Sequence, residues 1–220
     1  MSVDSLIFPQ GPWEILLKRA YSLFSEIENK GITIPRWSLG GGTVLMFHYN
    51  HRMSKDIDIF LPDPQFLGYV NPRLSEEAES LTSEYIEAEH HIKLYFEEGE
   101  IDFIATAPLT KNPFYQYPVL GKSILLEKPL EIVAKKMWHR GEMATARDLF
   151  DLALVIEKIP DEFEASKAIF LKNAQVFISQ CHDRKDILKV QFEQIQLINY
   201  QKTYNECLEI VEKFLDRLAS

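Results

Sequence analysis

Glycine and proline almost disappear from the chain after residue 129. Residues 130–220 contain one of the nine glycines, Gly141, and one of the eleven prolines, Pro160. Both residue types interrupt helices, and apolar residues recur at helical spacing through most of this stretch. The pattern predicts helices over residues 130–140, 145–158, 161–180 and 200–218. This last part of the chain is therefore predicted to be all-helical.

The preceding part mixes helical and strand periodicity. Trp13 follows a proline and begins an amphipathic helix that we expect to end at Gly31, since glycine suits the left-handed turn after a helix. Alternation of polar and apolar residues predicts strands, and two further stretches favour helix. The strands are expected at residues 56–61, 91–96, 101–105 and 117–126, the helices at 43–49 and 72–83. These elements predict an α+β lobe over residues 1–126, followed by a helical lobe over residues 127–220.

Composition and charge limit the classes of function. Apolar residues make up 46% of the chain, without a run near the roughly 18 residues of a membrane span. The net charge of −9 argues against bulk nucleic-acid binding, which needs a basic footprint, but permits a local basic site. Asp4 and the lack of a basic N-terminal segment argue against a signal peptide. We therefore expect a cytoplasmic protein with no membrane partner and two reduced cysteines.

Two carboxylates occupy alternate positions in the predicted strand 56–61. Asp56 and Asp58 are two residues apart, so their side chains would point to the same face of a strand. Taken alone, such a pair more often marks a solvated turn. Two like charges held this close repel each other unless a cation lies between them. Mg²⁺, or alternatively Mn²⁺, is bound by a few carboxylates together with substrate phosphates, so the pair predicts a metal site.

Three consecutive glycines precede this strand and lead into a short predicted helix. Gly41 and Gly42 would let the backbone approach a ligand closely, and the first amides of a helix that begins near Thr43 would bind an anion. A glycine run by itself is more often a flexible turn. In this order and at this spacing, the glycines and the two aspartates together predict a phosphate cradle beside a metal site.

This combination resembles the nucleotidyltransferases of the DNA polymerase β type, which share a glycine turn, a short helix and an Asp-x-Asp strand. Within that group, GGTVL followed by HRMSKDIDIF is similar to the AbiEii/AbiGii toxin family. The positions that match the family pattern are Gly41, Gly42, Thr43, Leu45, Arg52, Ser54, Asp56, Asp58 and Phe60. Threonine replaces the serine of many relatives but keeps the hydroxyl. The resemblance implies a polymerase-β-like core with a mixed β-sheet.

The family also carries a lysine on one helix and an Arg-Asp-x-x-Asp-Leu motif on the next. Lys136 fits the first, and RDLFDL, which contains Asp148 and Asp151, fits the second. Arg140 lies one turn after Lys136 on the same predicted helix face, and two cations there would suit a triphosphate. The two aspartates could hold Lys136 or Arg140 in place, or contact a substrate hydroxyl. Without the resemblance, this segment would favour an ordinary pair of salt-bridged helices.

The resemblance further implies a third acid on a neighbouring strand. Asp102 is the best candidate because apolar residues that would point to the opposite face of a strand flank it on both sides. Glu97, Glu98 and Glu100 of the same predicted hairpin fit turn and edge positions better.

The two histidines before the Asp-x-Asp motif are not predicted to bind a metal. His48 and His51 are predicted to be surface or loop residues, because a zinc site would need cysteine partners and both cysteines are far away in sequence.

By this resemblance the chain would be a Mg²⁺-dependent enzyme that moves a nucleoside monophosphate from an NTP to an acceptor hydroxyl. It would be the toxin of a bacterial toxin–antitoxin or phage-defence system, with a cognate antitoxin, and tRNA is the acceptor in some relatives. Metal would be held by Asp56, Asp58 and Asp102, phosphates by Gly41, Gly42, Thr43, Arg52, Lys136 and Arg140, and the catalytic set would also include Lys136 and Asp148. The lobes would then face each other across bound nucleotide.

Two alternatives stay open. The chain could be a non-catalytic nucleotide-binding or antitoxin-binding module that keeps the fold, although the complete Asp-x-Asp pair argues against it. It could also be a helical interaction protein with an incidental α+β lobe, an interpretation that rests only on the uninformative C-terminal stretch.

Overall fold

The computed structural model of the protein describes residues 6–220. Asp4, on which the expected absence of a signal peptide depends, lies outside the described residues. The chain forms two compact units. The first comprises the described residues up to His48 together with Ser54–Pro108 and Phe114–Glu127, and the second comprises Tyr49–Met53, Leu109–Pro113 and Lys128–Ser220. Within residues 6–220, no helix is long and apolar enough to cross a membrane.

A seven-stranded sheet in the first unit has the strand order β3-β4-β5-β2-β1-β7-β6. The strands are β1 Ser38–Gly40, β2 Ile57–Leu61, β3 Tyr85–Ala88, β4 His91–Phe96, β5 Gly99–Ala105, β6 Phe114–Val119 and β7 Lys122–Glu127. β2 runs parallel to β5, and β1 runs parallel to β7, while the other neighbouring strands are antiparallel. This mixed sheet confirms the predicted α+β class.

The helices of the first unit are α1 Trp13–Asn29, α2 Gly41–Tyr49 and α3 Glu76–Leu81, with a 3₁₀ helix at Pro64–Val70. Helix α1 buries one apolar face, and its Phe24 ring lies 5.9 Å from the ring of Phe103 on β5. Each fully buried side chain of this size contributes about 1.5–3 kcal/mol. Gly31 follows the helix with a φ of +82°, as the sequence predicts.

Several predicted elements differ in extent. The acidic helix expected over residues 72–83 is only α3, because Ser75 caps its start by accepting the Ala78 amide. Strands β1 and β3 were not expected. The single strand predicted over residues 117–126 is the β6–β7 hairpin, whose turn residues Leu120 and Gly121 have φ values of +48° and +81°.

The second unit is helical from Pro129 onwards, as predicted. Its α-helices are α4 Pro129–Arg140, α5 Ala146–Lys158, α6 Lys167–Lys172, α7 Ala174–Asp183, α8 Lys185–Glu193 and α9 Tyr204–Ala219. The helix expected over residues 161–180 is interrupted at Asn173, whose side-chain amide donates to the carbonyl oxygens of Met137 and Trp138 at the end of α4. Cys181 and Cys207 are buried free thiols.

Two short stretches of the second unit, Tyr49–Met53 and Leu109–Pro113, come from earlier parts of the sequence. We call Tyr49–Met53, which joins α2 to the chain before β2, the connecting segment. The Met53 amide donates to Gln196 at 2.9 Å, and the His51 carbonyl accepts from Ile198 at 2.8 Å. These bonds, on either side of a β-bridge, attach the segment to the chain between α8 and α9.

Candidate active site

The turn from β1 into α2 brings the glycines against the acidic strand. Gly40 pairs with Asp58 across β1 and β2. Gly41 begins α2 with a φ of +67°, a conformation that favours glycine. A Cβ atom at Gly41 would also overlap the Asp58 carboxylate. The missing side chain therefore lets Asp58 lie against the start of the helix.

Asp56, just before β2, is fixed through both its backbone and its side chain. The buried Thr43 hydroxyl donates to the Asp56 carbonyl oxygen at 2.5 Å, and the Glu100 amide donates to Asp56 Oδ1 at 3.0 Å. The first hydrogen bond ties the beginning of α2 to the Asp-x-Asp motif. Because the Thr43 hydroxyl proton is used there, a phosphate contact would fall to its backbone amide. That role, and those of Gly41 and Gly42, stay predictions.

Asp58 and Asp102 are register partners on the parallel strands β2 and β5. Lys93 on β4 pairs with Asp102 from the other side, and its ammonium lies 3.2 Å from Asp102 Oδ2 and 2.5 Å from Glu100 Oε2. The second carboxylate oxygen of Asp102, Oδ1, is buried and has no hydrogen-bond partner among residues 6–220. A desolvated carboxylate oxygen without a partner is costly, so this position favours an additional cation.

Titration of Asp102 reflects the same crowding of charge. Burial, and after it the charge of Asp58, raises the pKa of Asp102 to about 6, although Lys93 acts in the opposite direction. Carboxylate oxygens are the ligands that Mg²⁺ and Mn²⁺ prefer, so Asp58 and Asp102 fit a divalent cation. Residues 6–220 contain no group of three or more His, Cys, Asp or Glu side chains arranged around a metal position. A metal contact by Asp56, whose Oδ1 accepts the Glu100 amide, stays a prediction.

Lys136 of α4 lies between two aspartates of α5. Its ammonium is 2.7 Å from Asp148 Oδ1 and 2.9 Å from Asp151 Oδ2. Asp148 also forms the capping box of α5, because its Oδ2 accepts the backbone amide of Thr145 at 3.3 Å while its own amide donates to the Thr145 hydroxyl. Of the roles considered from the sequence, holding Lys136 in place is the one that these contacts show.

Asp151 is fully buried and accepts hydrogen bonds from further side chains. Arg52 donates from Nε to Oδ1 and from Nη2 to Oδ2, both at 2.8 Å, which is a bidentate pair. His51 Nε2 lies 3.0 Å from the same Oδ1. Arg52 is only 3% exposed, and its predicted contact with phosphate stays a prediction. The expectation that His48 and His51 are surface or loop residues holds only in part: His51 lies in the connecting segment, outside helices and strands, but its side chain is fully buried. His48 lies in the last turn of α2 and is half-buried.

Positive charge controls the titration of both aspartates. Burial by itself would raise the two pKa values, but Lys136 and Arg140 lower the pKa of Asp148, and Arg52 and Lys136 hold the pKa of Asp151 well below its usual range. Burial also lowers the pKa of His51. At neutral pH both aspartates are therefore ionised, and His51 is the neutral donor to Asp151.

Arg140 itself is exposed at the end of α4, and its predicted phosphate contact stays a prediction.

Two residues of these surroundings, Lys93 and His51, were not predicted from the sequence to contribute to the site. Lys93 could have been identified, because a hairpin with Glu97 and Glu98 as its two turn residues places Lys93 opposite Asp102. His51 carries no such signal, since its partner Asp151 is 100 residues away in sequence.

Comparison with known proteins identifies the family to which this chain is similar. Residues 30–217 match the family described as nucleotidyl transferase AbiEii toxin, type IV TA system. A solved structure from H. pylori, assigned as a nucleotidyltransferase, shares 15% identity over 92% of this chain and 94% of its own, with a TM-score of 0.47. The JHP933 protein of Helicobacter pylori shares 15% identity over 92% and 91%, with a TM-score of 0.44. No curated protein gives a significant match.

The family match spans most of the chain and includes the glycine turn, Asp58 and Asp102 as well as the helices that carry Lys136 and Asp148. A family of nucleotidyltransferase toxins implies a nucleotide substrate and a cognate antitoxin. The resemblance drawn from the two motifs is thus confirmed, and the chain belongs to the AbiEii family of nucleotidyltransferase toxins.

Proposed function

We propose that the chain transfers a nucleoside monophosphate from an NTP to an acceptor hydroxyl with the help of a divalent cation. The acceptor oxygen would form a bond to the α-phosphorus, and the bond from that phosphorus to the oxygen bridging to the β-phosphate would break. Pyrophosphate would leave with the electron pair, and the hydroxyl proton would pass to solvent. The observation that carries this proposal is the pair Asp58 and Asp102 lying beside the Gly41 turn.

The cation we propose is Mg²⁺, with Mn²⁺ as the alternative. Asp58 and Asp102 would hold it, since they are register partners on neighbouring strands and no group in the described part of the chain hydrogen-bonds the buried Asp102 Oδ1. When bound, such an ion lowers the charge on the phosphates and orients the reacting oxygens. Asp56 is the further carboxylate of the proposed set.

Phosphate binding is proposed for the start of α2 and for the cations of α4. The backbone amides of Gly41, Gly42 and Thr43 begin a nine-residue helix, whose N-terminus attracts anions. Lys136 and Arg140 would offset triphosphate charge, Lys as a point charge and Arg as a planar fork. Asp148 would fix Lys136 for this contact, since it lies 2.7 Å from the ammonium.

The acceptor and partner follow from the family and are proposed on that basis. We propose tRNA as the first acceptor to test, and a cognate antitoxin as the partner that limits toxicity in the cytoplasm. The net charge of −9 makes a large RNA footprint unfavourable, so binding of tRNA would be local and sensitive to salt.

The direct test incubates the protein with each of the four α-³²P-labelled NTPs, Mg²⁺ and total tRNA. We expect labelled RNA, or labelled protein, with one NTP preferred and pyrophosphate released in equal amount. The same NTP labelled at the γ-phosphate should leave the acceptor unlabelled, which separates nucleotidyl transfer from kinase chemistry. Absence of label with all four NTPs, in Mg²⁺ and in Mn²⁺, would contradict the proposal and favour the non-catalytic alternative.

A further inference from the structure

Asp151 is contacted by two cations, Arg52 and Lys136, and by the neutral donor His51, which is more than a single salt bridge requires. We call His51, Arg52, Lys136, Asp148 and Asp151 the Asp151 cluster. Three side chains converge on Asp151, with two Arg52 bonds of 2.8 Å, His51 at 3.0 Å and Lys136 at 2.9 Å. Among these three, Lys136 is the most accessible, with a side chain that is 10% exposed. The cluster therefore extends from the buried Arg52 and His51 to Lys136, the side chain of the three that is partly exposed.

Charge sharing in the cluster bears on how firmly Lys136 is held. The Lys136 ammonium lies between two carboxylates. If both carboxylates fully neutralised it, the ammonium would not readily leave them to bind an incoming phosphate. Arg52 occupies both oxygens of Asp151 in a bidentate pair, so Asp151 divides its charge between two cations. Arg52 thereby weakens the hold of Asp151 on Lys136 while fixing where the carboxylate lies.

The positions of Arg52 and His51 are themselves fixed. Both belong to the connecting segment Tyr49–Met53, which backbone hydrogen bonds attach to residues 196–199. The His51 ring stacks on Phe150 with 5.9 Å between ring centroids and 15° between planes. Rotation of the imidazole is therefore restricted, and its Nε2 stays directed at Asp151.

We propose that Arg52 and His51 are positioning residues that act through Asp151 to set the location and availability of the Lys136 ammonium. This inference rests on the proposed function in that Lys136 meets the nucleotide. It assigns the arginine before the Asp-x-Asp motif a task different from direct phosphate binding. The two tasks lead to different outcomes when Arg52 and Lys136 are changed together.

The first test is a double-mutant cycle of Arg52→Lys and Lys136→Ala. Arg52→Lys keeps the charge but loses the fork, and a small displacement of a reacting group can cost up to about 100-fold in rate. We expect Arg52→Lys to lower kcat/KM about tenfold or more in the wild-type background and less than twofold in the Lys136→Ala background. The effects of substituting residues that act as one unit are not additive. Equal factors in both backgrounds would overturn the proposal and favour an independent contact of Arg52 with phosphate.

A second readout does not depend on catalysis. The ¹⁵N NMR signal of the Lys136 ammonium, assigned by its loss in Lys136→Ala, should shift in Arg52→Lys without nucleotide, whereas Arg217→Lys at an exposed position of α9 should leave it unchanged. An unchanged signal in Arg52→Lys overturns the proposal. If Lys136→Ala instead keeps wild-type transfer, the proposed role of Lys136 fails while this signal still tests the positioning.

His51→Gln provides the same tests should Arg52→Lys not fold. It replaces the stacked imidazole with a flexible amide donor and leaves the Arg52–Asp151 pair in place, so it is the milder change. We expect a smaller loss of kcat/KM that again disappears in the Lys136→Ala background, together with a shifted ammonium signal. Additive losses or an unshifted signal would overturn the proposal for His51.

Discussion

Asp58 and Asp102 lie side by side on β2 and β5, and the buried Oδ1 atom of Asp102 has no hydrogen-bond partner in the described range 6–220. The Asp58 carboxylate in turn lies against the backbone of Gly41. Negative charge is thus concentrated at the point where the glycine turn begins a helix. Such an arrangement is unfavourable for folding by itself and becomes favourable when a cation is bound.

Lys93 partly offsets this negative charge, so its removal should make the stability of the fold depend more strongly on bound metal. Burial by itself would lower the pKa of Lys93, but its ion pairs with Glu100 and Asp102 raise it. We expect Lys93→Gln to lower the metal-free free energy of unfolding by about 1 kcal/mol and to enlarge the stabilisation by Mg²⁺. Thermal unfolding with and without Mg²⁺ measures both, and Lys18→Gln at an exposed position of α1 is the control. A Mg²⁺ response equal to that of the wild type would show that Lys93 does not influence the metal site.

Gly41 should be far less tolerant of alanine than Gly121. Both have positive φ, +67° and +81°, but a Cβ atom at Gly41 overlaps Asp58, whereas a Cβ atom at Gly121 meets none of the described atoms of residues 6–220 within 4 Å. Gly121→Ala should cost about 1–2 kcal/mol from backbone strain alone. Gly41→Ala should cost about 2–4 kcal/mol and displace the carboxylate, so transfer is lost. Urea unfolding and the transfer assay check the pair, and similar costs at the two positions would contradict the close approach of Asp58.

Lys136→Ala should slow transfer about 100-fold or more, the usual cost of removing a group that stabilises charge in the transition state. Lys158→Ala, at an exposed position of α5, is the matched control and should keep wild-type rates. The neighbouring Lys135 is a poor control because it is only 5% exposed and lies 3.6 Å from Glu131. Steady-state kinetics measure the transfer rates, and circular dichroism verifies that both variants are folded. Equal rates for Lys136→Ala and Lys158→Ala would exclude the proposed role of Lys136.

The first unit should lose stability in mild acid because of His48. Burial lowers the pKa of His48 to about 4 from 6.5, so between these values the unfolded chain binds a proton that the folded protein does not. Its contribution is complete above pH 6.5 and is lost as the pH falls toward 4, with roughly 3 kcal/mol as the upper limit. Urea unfolding at pH 7, 6 and 5 should show a flatter dependence in His48→Gln. Identical slopes for the variant and the wild type would argue against a neutral, half-buried His48.

The sequence predicted the elements that depend on local pattern and missed those that depend on distant contacts. The alternation of polar and apolar residues around Asp58 and Asp102 predicted the two strands and the face of each strand that carries the aspartate. Gly31 predicted the end of α1. Each of these signals depends on only a few neighbouring residues. The break at Asn173 could not be foreseen, since it depends on carbonyl groups at the end of another helix. Burial of His51 likewise depends on Asp151, a partner that no local spacing indicates.

The central claim is that the Asp58 carboxylate belongs to a nucleotidyl-transfer site, and one comparison tests it most directly. Wild type, Asp58→Asn and the exposed control Asp216→Asn are incubated with the preferred α-³²P-labelled NTP, Mg²⁺ and tRNA, after unfolding curves verify that all three are folded. We expect label on the acceptor with wild type and Asp216→Asn, and a loss of at least about 100-fold with Asp58→Asn, whose fold persists because a like-charge repulsion has been removed. Label transfer by Asp58→Asn at the wild-type rate would contradict the account.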